Sequence, residues 1–209
     1  MHVLQFLDKF HEGATVYTFK FKKPENLRHK AGQHSLFVLP GFYRPHPFTI
    51  SSAPDEPYLT FSTKIREGSR FKQQLMRLTK NDKVIMFGPI LNFTLETPQT
   101  DRVFLAQGIG VTPFRSMLVH INKHKLPTKT SLIHVDAESH PFKEITQKHS
   151  DSAHYPTTSD EFRAVLAEQD TRQLFYISGS PRFVKETKVQ LRQLGVPKKN
   201  IKTDSFLGY

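Results

Sequence analysis

The chain has 209 residues, of which 37% are hydrophobic and 23% charged, a composition typical of a globular protein with one large or two small domains. It contains no cysteine, which excludes disulfides, thiolate catalysis and cysteine-ligated iron–sulfur clusters within this chain. No apolar run approaches the roughly 20 residues of a membrane-spanning helix, and the first residues lack the basic-then-apolar pattern of a secretion signal. We therefore expect a cytoplasmic protein with no membrane span.

The formal net charge of +11 suits an ordinary basic protein, a protein with an acidic partner, or one that meets an anionic membrane surface or nucleic acid. The basic residues are scattered, as at residues 20–23 and 198–199, and form no long basic arm. This distribution argues against a nucleic-acid-binding module.

The first half of the chain has the pattern of short β-strands. Tyr17, Phe19 and Phe21 alternate with polar residues, and turn-forming residues separate this run from the next ones. Further runs of this kind are residues 35–39, 48–52, 59–63, 84–87 and 93–95. A helical pattern at residues 70–79 interrupts the strands. Several short strands at this spacing predict an antiparallel barrel or sandwich.

After about residue 98, strands alternate with helices. The predicted strands are residues 103–106, 131–135, 174–178 and 200–203, with a weaker candidate at 153–157. The predicted helices are residues 113–123, 142–147, 160–168 and 181–194. This rhythm predicts a mostly parallel sheet with helices on both faces. A linker at residues 96–101 then divides the chain into domains at residues 1–98 and 99–209.

Two turns follow predicted strands and open predicted helices. The first is Gly-Ile-Gly-Val-Thr-Pro at residues 108–113, and the second is Ser-Gly-Ser-Pro at residues 178–181. Glycines let a backbone approach a phosphate, and a helix N-terminus offers free N–H groups and positive potential. Ligands of open α/β sheets bind outside the carboxyl ends of the strands, so the two turns could flank one dinucleotide. The alternative interpretation is an ordinary tight turn.

A third segment, His-Pro-Phe-Thr-Ile-Ser-Ser-Ala-Pro at residues 46–54, by itself indicates only a barrel strand between two turns. Together, however, the three segments resemble the ferredoxin–NADP reductase superfamily over nearly the whole chain. Residues 46–49 are similar to the flavin motif of ferric reductases and NADPH oxidases, and residues 68–71 to the helix start that receives the flavin pyrophosphate. The resemblance implies an antiparallel Greek-key flavin-binding barrel followed by a parallel-sheet, Rossmann-like nicotinamide-binding domain.

The resemblance also implies the residues of the site. Those assigned to FAD are Arg44, His46, Pro47, Phe48, Thr49, Ser62, Thr63, Lys64, Gly68, Ser69, Arg70, Phe71 and Tyr209. Those assigned to the nicotinamide dinucleotide are Gly108, Gly110, Val111, Thr112, Pro113, Asp136, Gly179, Ser180 and Pro181. Thr49 near the reactive flavin nitrogen, Ser178 near the nicotinamide and Tyr209 over the flavin ring are assigned to catalysis.

The chain departs from the family pattern at four of its motif positions. His46 stands where most soluble members have arginine, Gln107 and Leu91 where glycine is usual, and Ser178 where the family has cysteine. Histidine has a reference pKa near ~6.5, so a neutral ring at residue 46 cannot hold a pyrophosphate as a guanidinium does. We expect Arg44 and Arg70 to supply that charge.

The implied function is that of an FAD-dependent NAD(P)H oxidoreductase. Hydride passes from nicotinamide to FAD, and electrons then pass to a separate acceptor. The acceptor is either a ferredoxin or flavodoxin, which are usually acidic, or a small molecule such as a ferric chelate or quinone. Asp136 after the second α/β strand favours NADH, because a carboxylate repels a 2′-phosphate, whereas Arg182 favours NADPH. The alternative function is a flavin-binding electron-transfer or regulatory subunit with little reductase activity.

His120 and His124 are four residues apart on a predicted helix, which is a metal-ligand spacing. The sequence shows no third ligand, so we expect two solvated histidines and no metal site.

Overall fold

The computed structural model describes residues 1–96 and 100–206. The first half of the chain holds six strands and one helix. They are β1 His2–His11, β2 Val16–Lys22, β3 His34–Val38, β4 His46–Thr49, β5 Tyr58–Lys64, α1 Arg70–Arg77 and β6 Lys83–Ile90. The strands form an antiparallel sheet in the order β4–β3–β6–β1–β2–β5. An antiparallel bridge between Ile50 and Phe61 joins the two edges, so the sheet closes on itself.

The barrel is filled by aromatic side chains that alternate along its strands. Phe19, Phe21, Phe37 and Phe61 are fully buried, and the rings of Phe37 and Phe61 lie 4.4 Å apart between centroids. Phenylalanines at alternate positions of one strand point to one face, which is how the period-two pattern of the sequence becomes a core. The predicted antiparallel barrel is confirmed.

The second half forms a five-stranded parallel sheet in the order β11–β10–β7–β8–β9. Its strands are β7 Arg102–Gln107, β8 Thr130–Val135, β9 Ser152–His154, β10 Leu174–Gly179 and β11 Ile201–Ser205. Its helices are α2 Thr112–His124, α3 Lys143–His149, α4 Ser159–Ala167 and α5 Pro181–Gln193.

Helices cover both faces of the parallel sheet. Val103 and Leu105 of β7 pack in one cluster with residues of α4 and α5, whereas Phe104 and Ala106 pack in another with residues of α2. The predicted α/β architecture is confirmed. Within residues 1–96 and 100–206, no helix is long and apolar enough to cross a membrane.

The sequence analysis was wrong about one strand and missed another. Residues 91–96 contain no strand, because Phe93 leaves the barrel and packs against Phe114 and Tyr176 at ring-centroid distances of 6.0 and 5.6 Å. Strand β1 was not predicted because its residues do not alternate clearly: Leu4 and Phe6 are its only buried residues. In the structure its pairing with β2 also shifts register after Phe6. The predicted domain boundary at residue 98 lies outside the described residues and stays a prediction.

The two domains are joined by a buried ion pair. Arg115 of α2 pairs through its two terminal nitrogens, Nη1 and Nη2, with the carboxylate of Glu56. Glu56 lies in the loop between β4 and β5, and the Nη2–Oε1 distance is 2.8 Å. Arg115 also donates to the carbonyl of Ser51 at 3.1 Å, and the hydroxyl of Ser116 donates to the carbonyl of Ser52 at 2.8 Å. Burial alone would raise the pKa of Glu56, but the hydrogen bonds and charge of Arg115 lower it below its usual value.

Arg115→Met should destabilise the protein strongly, because it leaves the Glu56 carboxylate without its cationic partner and the Ser51 carbonyl without its donor. Breaking a buried pair on one side costs about 3 kcal/mol. Arg172→Met is the matched control, since Arg172 pairs with Asp170 at the surface, where a pair contributes at most about 1 kcal/mol. The measurement is the free energy of unfolding by urea. Equal losses in the two variants would show that Arg115 does not hold the domains.

Candidate functional site

The carboxyl ends of the parallel strands lie against the barrel, and we call this boundary the crevice. The Lys64 ammonium at the end of β5 lies 3.6 Å from the Asp136 carboxylate, which follows β8. The imidazole of His34 on β3 lies 3.4 Å from the carboxylate of Asp204 on β11. These contacts cross from barrel to α/β domain at the edge of the sheet where ligands of open α/β folds bind.

The turn after β7 forms one wall of the crevice. Residues Gly108–Val111 make a single 3₁₀ turn, all four are buried, and α2 begins at Thr112 with Pro113 in its first turn. A Cβ on Gly110 would lie 2.3 Å from the carbonyl oxygen of Ser178. Glycine at residue 110 therefore serves the close approach of two backbone turns, in addition to any approach to a phosphate.

The turn after β10 lies against the first one. Ser180 caps α5, since its hydroxyl accepts from the Phe183 N–H at 3.2 Å. The same hydroxyl donates to the side-chain carbonyl of Gln107 at 2.6 Å. Gln107, which departs from the family pattern, thus joins the two turns. The structure brings the turns that hold Gly108, Gly110, Gly179 and Ser180 together, and their predicted role in binding a dinucleotide stays a prediction.

A buried polar cluster crosses the boundary between the barrel and the α/β domain. Nε2 of His34 lies 2.9 Å from the hydroxyl of Thr49 and 3.4 Å from the carboxylate of Asp204. Ser178 is the register partner of Asp204 on the neighbouring strand, and its hydroxyl is buried. Among the described residues, Ser178 Oγ, Asp204 Oδ2 and His34 Nδ1 are buried without a hydrogen-bond partner. The protein itself covers these three atoms, so a ligand or a water could reach them only after neighbouring side chains move.

Burial shifts both ionisable members of this cluster towards their neutral forms. It lowers the pKa of His34 to about 4 and raises the pKa of Asp204 to about 7. The sequence analysis missed both residues. The sequence offered one signal, the carboxylate of Asp204 at a strand position. Asp204 lies beside the predicted site residue Ser178 only after the sheet has formed.

The start of α1 offers a place for a phosphate group. Ser69 caps the helix by accepting from the Lys72 N–H at 3.4 Å, and the first turn holds no acidic residue. Gly68 has a φ of +85°, and no atom lies within 4 Å of where a Cβ would stand. Arg70 is exposed beside this space. Free N–H groups, a basic side chain and open room suit a phosphate group.

The flavin-motif strand β4 is held against the barrel core. The ring of His46 stacks on that of Phe71 at 3.8 Å, and the ring of Phe48 stacks on Phe61 at 4.6 Å. Burial and the nearby charge of Lys72 lower the pKa of His46, so its ring is neutral at pH 7. Pro47 and Arg44 are exposed.

Three further predicted residues already have partners. The hydroxyl of Ser62 on β5 lies 2.8 Å from that of Thr18 on β2. It also lies 3.1 Å from the hydroxyl of Ser51, in the loop after β4. Lys64 and Asp136, assigned to different ligands, lie beside each other. Oδ1 of Asp136 accepts from the Glu138 N–H at 2.9 Å, which leaves Oδ2 towards Lys64.

The remaining predicted residues are Thr63, which is buried, Val111, which is buried in the 3₁₀ turn, and Pro181, the first residue of α5. Tyr209 lies outside the described residues.

The chain is similar to known proteins in sequence and in fold. No model of a known protein family matches the chain. The flavohemoprotein of Halalkalibacterium halodurans is 23% identical over 240 residues, which cover 95% of this chain and 58% of that protein. The solved flavohemoglobin of Malassezia yamatoensis, with bound FAD and heme, has a TM-score of 0.84 and 19% identity and covers 98% of this chain and 60% of its own. Ferredoxin–NADP⁺ reductase of Plasmodium falciparum with 2′P-AMP has a TM-score of 0.81 and 14% identity, over 98% of this chain and 95% of that one.

The chain has the ferredoxin–NADP reductase fold. The fold predicted from the sequence resemblance is confirmed, with the barrel first and the parallel sheet second. This chain spans 58% of the length of the Halalkalibacterium flavohemoprotein. The roles that the sequence resemblance assigned to individual residues stay predictions.

Asp204→Asn should stabilise the protein increasingly as pH rises. An acid whose pKa is raised in the folded state costs stability above its unfolded pKa of about 3.8, and the cost grows until the folded pKa near 7 is passed. At about 1.4 kcal/mol per pKa unit, the gain at pH 8 is at most about 4 kcal/mol and vanishes near pH 3.

The measurement for Asp204→Asn is the free energy of unfolding between pH 4 and pH 8, beside Asp8→Asn, which removes an exposed carboxylate from β1. A difference from the parent protein that does not change with pH would contradict the prediction.

Proposed function

We propose that this protein is an FAD-dependent oxidoreductase that takes a hydride from a nicotinamide dinucleotide and passes electrons to a separate acceptor. The observation that carries the proposal is the crevice itself. Two helix-opening turns that touch each other, at residues 108–113 and 178–181, lie on the α/β side of the domain boundary, and a buried cluster of Thr49, His34 and Asp204 crosses that boundary. A dinucleotide on one wall and a flavin on the other would meet at this cluster.

The residues present fit FAD. The open space above Gly68 and the capped start of α1 suit its pyrophosphate, and Arg70 supplies positive charge there. A solved neighbour with the same fold carries bound FAD, which supports the assignment.

When bound, FAD supplies the chemistry, because a flavin accepts a hydride and returns electrons singly. The chain's own residues would bind and orient the flavin and the dinucleotide, and they would exclude water. The N-termini of α2 and α5 offer N–H groups to the dinucleotide phosphates, and Thr49 offers a hydroxyl held by His34. The side chains of Thr49, Ser178 and Asp204 are buried, so the reacting groups would be shielded from water.

Asp204 could in addition hold a proton, since burial raises its pKa to about 7. At that value the carboxyl changes protonation state near neutral pH, and it stands within 3.4 Å of a neutral His34. A proton could therefore be stored beside the site of hydride transfer.

NADH is the donor that the site favours. Asp136 is 8% exposed and follows β8, and its negative charge would repel a 2′-phosphate. Lys64 offsets part of this charge at 3.6 Å.

A separate protein acceptor of acidic character fits the net charge of +11, and the absence of cysteine places any thiolate-ligated cluster outside these 209 residues. A ferric chelate or quinone is the rival acceptor. We place the protein in the cytoplasm as part of this proposal.

The testing experiment is an anaerobic titration of the FAD-loaded protein. NADH should bleach the flavin absorbance stoichiometrically and faster than NADPH. Flavin that binds but is bleached by neither donor would favour a flavin-binding regulatory subunit, for which the neutral His46 is the structural argument. A protein that cannot be loaded with flavin would overturn the proposal.

Asp136→Ser should lower the ratio of kcat/KM for NADH to that for NADPH by about tenfold, since a hydrogen bond to a charged group contributes about 1.5 kcal/mol or more. Lys64→Met is the matched control, because it breaks the same ion pair while it leaves the carboxylate in place. It should retain or increase the NADH preference. If Asp136→Ser leaves this ratio of kcat/KM values unchanged, the carboxylate does not distinguish a ribose hydroxyl from a 2′-phosphate.

A further inference from the structure

Three potential metal ligands meet on the side of the domain interface that is remote from the crevice. They are the Asp55 carboxylate, in the loop between β4 and β5, and the imidazoles of His120 and His124 on α2. His120 lies eight residues beyond Thr112, where α2 leaves the crevice, which corresponds to about 12 Å along the helix. The cluster is therefore separate from the proposed flavin site.

The three ligand atoms converge on one point. Nδ1 of His120 lies 3.1 Å from Oδ2 of Asp55, and Nε2 of His124 lies 2.7 Å from the same oxygen. All three atoms lie within 4.8 Å of one another. Around tetrahedral Zn²⁺ with bonds of about 2.0–2.1 Å, ligand atoms are separated by about 3.4 Å. Side-chain movements of well under an ångström to about one ångström would thus admit the ion.

The backbone that carries these ligands is already fixed. Glu56, the next residue after Asp55, is tied to Arg115 of the same helix, and the carbonyl of Asp55 itself accepts from the Lys123 ammonium at 3.2 Å. His120 and His124 are one helical turn apart, so their rings stand together, with centroids 4.4 Å apart. Binding an ion would require ordering of side chains only.

The chemistry of the donor set selects the class of ion. Two imidazoles and one carboxylate are ligands of Zn²⁺ and similar transition metals, whereas Mg²⁺ and Ca²⁺ prefer oxygen alone. The side chains of Asp55, His120 and His124 are 30%, 27% and 43% exposed, which lets an ion enter and leaves room for water as a fourth ligand. The nearby Lys123 ammonium repels a cation, so the affinity should be moderate.

We propose that Asp55, His120 and His124 form a Zn²⁺ site that ties the barrel to α2. The sequence showed no third ligand, but the fold supplies Asp55 from a segment 65 residues away from His120. The ion would add a second link across the interface, beside the Arg115–Glu56 pair. It takes no part in hydride transfer.

The test is calorimetric titration of ZnCl₂ into untagged, EDTA-treated full-length protein at pH 7.5, followed by the absorbance of the Co²⁺ complex. We expect one Zn²⁺ per chain, an increase in Tm with Zn²⁺, and the intense visible bands of tetrahedral Co²⁺. His124→Gln, His120→Gln and Asp55→Asn should each weaken binding at least tenfold and abolish the Tm increase. His149→Gln, on α3, is the control and should bind as the parent does.

Circular dichroism identifies any variant that does not fold, and the other two variants then decide the test. No binding, or binding that none of the three variants weakens more than the control does, would overturn the proposal. These readouts need neither flavin nor nicotinamide, so their failure is distinguishable from failure of the proposed oxidoreductase function.

Discussion

The buried pairing of Arg115 with Glu56 is the constraint on which the geometry of this protein depends. It holds the loop after β4 against α2, and α2 begins at the glycine turn that ends β7. The flavin-motif strand and the carboxyl ends of the parallel strands are thereby fixed on opposite sides of one crevice. A buried pair is tolerated only when further hydrogen bonds satisfy it, and here the Ser51 carbonyl accepts from Arg115.

Three histidines near the crevice contribute no positive charge to it. Burial lowers the pKa of His34 to about 4 and that of His134 to about 3, and it lowers the pKa of His46 as well, so these rings are neutral at pH 7. Neutral His134 makes a 2.9 Å hydrogen bond to the carbonyl of Gly108. Positive potential comes instead from helix N-termini and from Arg70. A histidine at residue 46 is compatible with such a site.

The departures from the family pattern have local structural consequences that differ in kind. Gln107 gains a function, because its side chain holds Ser180 and so joins the two turns. Leu91 shows why glycine is usual at its position: its φ is +63°, a conformation that costs an L-residue about 1 kcal/mol or more, and its side chain is 56% exposed. Ser178 leaves a buried hydroxyl unpartnered beside Asp204.

The sequence by itself determined the class of each domain, since alternating phenylalanines make a barrel and buried strands that alternate with helices make a parallel sheet. It also located both glycine turns, because strand ends and helix caps are local signals. It could not assign Phe93, whose partners Phe114 and Tyr176 come from the other domain.

Only the tertiary structure decided which polar side chains meet. His34 reaches Asp204, and Asp55 reaches His120 and His124, across separations that no local pattern records. These contacts arise because the docking of one domain on the other, and the order of strands in each sheet, bring distant segments within a few ångströms of each other. Burial, a property of the whole fold, then sets the pKa values of the groups that meet.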